Sequence, residues 1–312
     1  MLENGEISCA NKAVYLGSIL TAAGKDNANV SAEIKEREKH FNRFQAFLRK
    51  NYNAPLSVKE KVLDNCVTFN VLHNCETWGN ANISNLETLY RKSLKYMLGV
   101  RNTVCNEFPF IELAKPTLTS IVQKRQYEFY RKCTQDRDWP LIQHIIRQTI
   151  INPRCSFASH YISLTERYNS ADEITEKSLQ DMRNAIRFKA ERGQSRYVTY
   201  IALNPTLNRP EIYDLIVPTF KLHHTTRIRM ISHDLQIELG RQKRPPTPAD
   251  ERLCVCGEVE TEKHFTQQCS LYTHIRHEYE INHNIELANI LNTNFTYDYI
   301  TELHNCREIF TH

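Results

Sequence analysis

Apolar residues recur at helical spacing from Val30 to Gly99, and the runs are punctuated by start and stop signals, a pattern that dictates packed α-helices. In the first run Ile34, Phe41, Phe44, Phe47 and Leu48 fall between charged residues as one apolar face. Pro55 breaks it. Ser57 with Glu60 has the form of a capping box, in which hydroxyl and carboxylate each close a free backbone N–H, and it opens a helix bearing Val58, Val62, Leu63, Cys66, Val67 and Phe69. Ser84 with Glu87 repeats the signal ahead of Leu86, Leu89, Tyr90, Leu94 and Met97, and Gly99 falls where a C′ glycine ends a helix. Further helical patterns cover 141–150, 174–190 and 219–239, the last stopped by Gly240. A short β element is expected over residues 13–20, which are rich in strand formers.

Composition narrows the classes. Eight glycines against 15 tyrosines and 13 phenylalanines argue against a glycine-rich nucleotide-binding α/β enzyme and a loop-rich β sandwich. The 312 residues, 41% hydrophobic, suffice for two or three domains with cores of their own. No apolar run approaches the roughly 20 residues needed to cross a bilayer. The opening Met1-Leu-Glu-Asn-Gly-Glu6 carries neither the basic nor the apolar region of a signal peptide, so a soluble intracellular protein with no membrane partner is expected. Cys9, Cys66, Cys75, Cys105, Cys133 and Cys155 are scattered singly and read as buried thiols of a reducing compartment.

Cys254, Cys256, His264 and Cys269 are different: four ligand types within sixteen residues, three thiolates and one imidazole, which make a closed set for a structural ion. Soft donors with no open position favour Zn2+. The segment from Arg252 to Tyr272 is too short and polar to bury a core of its own, so the ion would fold it. One residue, Val255, separates the first two cysteines, which alters the knuckle turn that usually donates N–H bonds to sulfur, and Gly257 relieves the strain. His274 and His277 are alternative ligands.

Charge is distributed unevenly. Residues 85–132 carry 9 basic against 4 acidic side chains, residues 181–244 carry 12 against 6, and residues 245–312 reverse to 4 against 11. The field that attracts phosphate therefore belongs to the helical body. Lys92 and Lys95 lie off the apolar face of their helix with Arg91 at its edge. A second basic helix interleaves Lys124, Arg125, Arg131 and Lys132 with Tyr127, Phe129 and Tyr130. Such a face suits a nucleic-acid strand, phosphates taking the charge and bases the flat rings. Aromatic residues at helical spacing are more often core residues than base platforms. Glu258, Glu260 and Glu262 would make the C-terminal module itself repel phosphate.

Tyr15-Leu-Gly-Ser18, Asn74-Cys-Glu-Thr-Trp-Gly79 and Leu86-Glu-Thr-Leu-Tyr-Arg-Lys-Ser93 resemble the thumb of non-LTR (LINE-type) retrotransposon reverse transcriptases. His233-Asp-Leu-Gln-Ile-Glu-Leu-Gly-Arg241, a proline spacer from Pro245 to Pro248, Glu260-Thr-Glu-Lys-His-Phe265 and Cys269-Ser-Leu-Tyr272 are similar to the zinc-binding segment that closes many such polymerases. The resemblance implies a template–primer duplex as partner. These polymerases hold two metal ions on palm aspartates, and no Asp-Asp pair occurs here. The palm is expected to precede Met1, and no catalytic residue is assigned. No restriction-like nuclease set follows Cys269.

The expectation is a mainly α protein: remnant palm β strands over 1–25, a thumb-like helical bundle over 26–133, a helical connector over 134–244, and a zinc-binding module with an acidic tail over 245–312. The function expected is binding of RNA or DNA through Arg91, Lys92, Lys95, Lys124, Arg125, Arg131 and Lys132, with no small-molecule substrate evident. The alternative is a non-catalytic interaction or relic domain that folds and binds no nucleic acid.

Overall fold

The structure, a computed structural model, describes residues 12–15, 18–21, 26–135, 140, 143–144, 156–282, 284–293 and 295–311. Among these the protein is mainly helical. Strand Lys12–Tyr15 pairs antiparallel with Ser18–Thr21, Lys12 opposite Thr21, so the stretch expected as one element is divided between two strands. Apart from residues 143 and 144, the helix expected over 141–150 lies outside the described residues, as do Cys9 and Cys155. None of the described helices is long and apolar enough to cross a membrane.

Contacts group the chain into two units, each assembled from separated stretches: 1–43, 64–90 and 117–177 in the first, 44–63, 91–116 and 178–312 in the second. Residues 245–312 group with 178–244, and the bundle expected over 26–133 contributes to both units.

In the first unit, helix Leu118–Gln135 packs on the short turn Cys75–Thr77 and on helix Ser156–Arg167. Tyr127 is buried with Leu164, Tyr168 and Ile174, its hydroxyl donating to the Asn169 carbonyl at 3.0 Å. Tyr130 stacks on Tyr161 with centroids 5.3 Å apart. Core packing is therefore where these rings go. The buried Gln126 amide donates to the carbonyls of Cys75 (3.2 Å) and Gly79 (2.8 Å), Arg125 to Leu72 (3.2 Å), and the Tyr161 hydroxyl to Glu76. These donors tie the Asn74–Gly79 turn and the Leu72 carbonyl before it to the two helices; Asn74 enters the turn at φ 62° and Trp78 is buried in it. Phe41 meets Tyr90 at 6.2 Å, both buried, and each such side chain contributes about 1.5–3 kcal/mol.

Neither capping box forms. Asn82 Oδ1 accepts the Ser84 N–H at 2.9 Å, while the Glu87 carboxylate reaches instead to Thr119, accepting its N–H (2.8 Å) and hydroxyl (3.0 Å) at the start of helix Leu118–Gln135. In the second unit, helix Leu56–Val62 starts after Pro55 with no side-chain cap, and Glu60 takes both terminal nitrogens of Arg209 at 2.8 and 3.0 Å. A bidentate guanidinium is the stronger partner for a buried carboxylate than its own helix terminus. Cys66, expected to be buried, is exposed.

Gly99 does end helix Ser84–Met97. Its φ is +67°, its N–H bonds to the Tyr96 carbonyl (3.1 Å), and the Val100 N–H bonds to Lys95 (3.1 Å), the paired bonds of a Schellman motif. The run 219–239 is not one helix. Thr219–Arg229 stops at Ile231, whose φ of 54° lets the Ser232 N–H reach the Arg227 carbonyl at 2.7 Å, and the chain resumes at Gln236–Gln242. Gly240 lies inside that second helix and has a packing role: a Cβ there would sit 2.7 Å from Arg252 Cγ. Arg252 in turn bonds the Thr247 carbonyl (2.7 and 2.9 Å), folding the proline stretch back onto the unit instead of leaving a free spacer.

Candidate functional site

Local backbone geometry assembles the cysteine cluster. An antiparallel bridge between Leu253 and Val259 and the Cys254 N–H bond to the Glu258 carbonyl (2.7 Å) define a tight turn, which Gly257 completes at φ 97°. Cys254 and Cys256 leave this turn on the same side. His264 opens a π-type turn, His264–Gln268, closed by the Cys269 N–H on the His264 carbonyl at 2.8 Å, and so His264 and Cys269 are brought together. Cys254 Sγ and Cys269 Sγ are 3.8 Å apart, Cys256 Sγ and His264 Nε2 3.2 Å, and all four donor atoms lie within 4.8 Å of one another.

A tetrahedral ion with sulfur at about 2.3 Å and nitrogen at about 2.0 Å spaces its ligands roughly 3.5–3.8 Å apart, and the four donors here come within 4.8 Å of one another. Cys254, Cys256, His264 and Cys269 therefore sit close enough to hold a metal ion, as the sequence spacing predicts. The backbone N–H groups of Cys256 and Leu271 favour the thiolate forms of Cys254 and Cys269. His274 and His277 are exposed on helix Thr273–Glu278 and stand outside the group.

Without a cation, burial pushes both thiols up, Cys269 to about 12 with the Cys254 sulfur adding to the effect, and burial lowers His264. A divalent cation reverses the first tendency by replacing the thiol protons, and a neutral imidazole is already the ligand form. Phe265, which follows His264, and Tyr272, three residues after Cys269, are both buried and meet edge-on at 5.5 Å.

Side chains that sequence reasoning missed hold this module in place. Glu260, 2% exposed, accepts the Gln236 N–H (2.6 Å) and Arg307 Nε and a terminal nitrogen (2.7 and 2.9 Å). Glu262 lies 3.0 Å from His233 Nε2, and that partner holds its carboxyl low against the opposing effect of burial. Arg252 also donates to the Ile237 carbonyl at 2.9 Å. Of the three glutamates expected to face solvent, only Glu258 does. The run of acidic residues before His264 was the visible signal, and its partners, 24 to 47 residues away, were not.

The seven cations expected to face phosphate divide between the units. Lys92, Arg131 and Lys132 are exposed, and Arg91, Lys124 and Arg125 are half-buried. Lys124 bonds Asp172 at 2.6 Å, and Arg125 is tied to the Leu72 carbonyl. Lys95 is a correction. It is 3% exposed, its ammonium held by the Asn102 and Val104 carbonyls (2.9 and 2.5 Å) and Asn106 Oδ1 (3.0 Å), where it closes the loop after Gly99 and offers no charge to a ligand.

Comparison of the chain with family models, with curated proteins and with solved structures finds no match.

Proposed function

We propose that this chain binds RNA or DNA as the thumb and C-terminal portion of a retroelement reverse transcriptase, with Zn2+ holding its C-terminal module. The observation that carries the reading is the meeting of Cys254, Cys256, His264 and Cys269 within 4.8 Å of one another, in a segment that resembles the zinc-binding end of those polymerases. Zinc suits a closed set of three thiolates and one imidazole, and such a set leaves no position for substrate. Its role is structural: it closes the two turns so that Glu260 and Glu262 meet Arg307 and His233.

Phosphate contact is assigned to Lys92, Arg131 and Lys132, with Arg91, Lys124 and Arg125 at less accessible positions. The test is binding of a labelled RNA–DNA duplex across a salt series. Each phosphate neutralised releases counterions, so affinity falls steeply with salt if the reading holds. A flat dependence sinks it.

A second reading, a folded interaction or relic domain that binds no nucleic acid, is favoured by the fate of the basic helices: Lys95 is sequestered, Lys124 is ion-paired, and Tyr127 and Tyr130 pack inward. Absence of any duplex mobility shift at low salt selects it.

A further inference from the structure

The second unit contains a pocket of about 400 Å³ near the C-terminal ends of helices Asp26–Lys50 and Ser84–Met97, in the size range of small-molecule sites. We infer that it binds a nucleoside phosphate, its cations Arg49, Lys59 and Arg227 taking the phosphate and the rings of Tyr52 and Tyr96 taking the base.

Charge is the first ground. Three cationic side chains line the pocket and no carboxylate does. Lys59 is 3% exposed, and its Nζ donates to the Tyr52 carbonyl at 3.0 Å, with no acidic partner among the described residues. Burial alone draws its pKa down to about 8. A buried ammonium without a counter-ion is costly, and an anion in the pocket removes that cost. Arg227 is anchored through Nε to the Gly99 carbonyl at 3.1 Å, which leaves its terminal nitrogens for a second acceptor. An anion with two charges fits this set better than one.

Shape is the second. His223 enters the pocket only because position 99 is glycine: a Cβ there would lie 2.5 Å from the imidazole. Burial, with Arg227 and Lys59 nearby, holds that ring neutral by lowering its pKa to about 4, so it offers one donor and one acceptor to a sugar hydroxyl or a base edge. Tyr52 and Tyr96 are 59% and 45% exposed, large rings that the core does not use. Flat apolar rings beside fixed cations select a planar base joined to a phosphate. The nucleotide is either free or the phosphorylated end of a strand.

This site shares no residue with the duplex contacts proposed above, which its failure leaves untouched. The experiment is calorimetric titration of the full chain with adenosine 5′-monophosphate, adenosine, inorganic phosphate, and a tetranucleotide with or without a 5′-phosphate. Expected is binding of the monophosphate at least tenfold tighter than either adenosine or phosphate. Arg49→Gln and Tyr52→Ala, both at exposed positions that leave thermal unfolding unchanged, weaken it about tenfold and about fivefold. A 5′-phosphorylated tetranucleotide that binds more tightly than the monophosphate, with its 5′-hydroxyl counterpart weaker, assigns the site to strand ends, and the reverse order assigns it to free nucleotide. The proposal is overturned if adenosine or phosphate binds as well as the monophosphate, if nothing binds, or if both substitutions leave affinity unchanged.

Discussion

Glu112 and Arg229 form an ion pair from which water is excluded: both side chains are fully buried, and the carboxylate receives Arg229 Nε at 2.9 Å. Tyr200 and Asn204 donate to the same carboxylate at 2.9 and 3.1 Å, and Arg229 reaches Asn292 Oδ1 at 3.1 Å, so helices Phe108–Glu112, Ser195–Leu203 and Thr219–Arg229 meet at one polar centre in the second unit.

Removing one partner leaves the other charge buried and alone. Arg229→Met is expected to cost about 3–5 kcal/mol, and the double variant Glu112→Leu, Arg229→Met to recover much of it. Urea unfolding midpoints measure both. A single variant as stable as the parent chain contradicts the buried-pair account.

Metal binding is expected at one ion per chain, since the four ligands form one closed set. Elemental analysis of purified protein checks the ratio. Cys269→Ser, which removes a fully buried ligand, is expected to abolish it, and a chelator to release the 252–272 segment to proteolysis while the first unit stays protected. Metal-free protein with an unchanged digestion pattern rules the site out.

Acid is expected to destabilise the second unit through two histidines, the half-buried His223 and the buried His304. His223 is lowered to about 4 by burial and by Arg227 and Lys59, and His304, packed against His224 at 4.2 Å and Phe265 at 5.0 Å, is lowered to about 2. Both titrate near 6.5 once unfolded, so below that pH the unfolded chain binds protons that the folded chain does not. Their stability contribution is complete above pH 6.5 and is lost as pH falls toward their folded values, with a limiting slope of about 1.4 kcal/mol per pH unit for each. Guanidinium midpoints between pH 7 and 5 should fall, and His304→Phe should flatten the fall. An unchanged slope in that variant removes His304 from the account.

The exposed cations separate from the buried one by readout. Arg131→Gln and Lys132→Gln should each weaken duplex binding and lower the magnitude of the salt slope by about one, with the unfolding midpoint unmoved. Lys95→Met should do the reverse, lowering stability by about 1–3 kcal/mol by orphaning the Asn102 and Val104 carbonyls while sparing affinity. Equal losses of binding in all three would contradict the burial of Lys95.

Periodicity alone determined that this is a helical protein, and spacing alone determined which four side chains meet, because both depend on residues a few positions apart. Gly99 is a terminator for the same reason: its positive φ is a local demand that only its own turn imposes. Tertiary structure decided the rest, since it depends on partners far along the chain. Glu60 and Glu87 carry a helix-start signal, yet Arg209 and Thr119 outbid the helix termini for those carboxylates. Glu260 and Glu262, which look like a solvated acidic surface, are buried because Arg307 and His233 arrive from 47 and 29 residues away, and Lys95 turns inward because the loop after Gly99 presents the Asn102 and Val104 carbonyls to its ammonium.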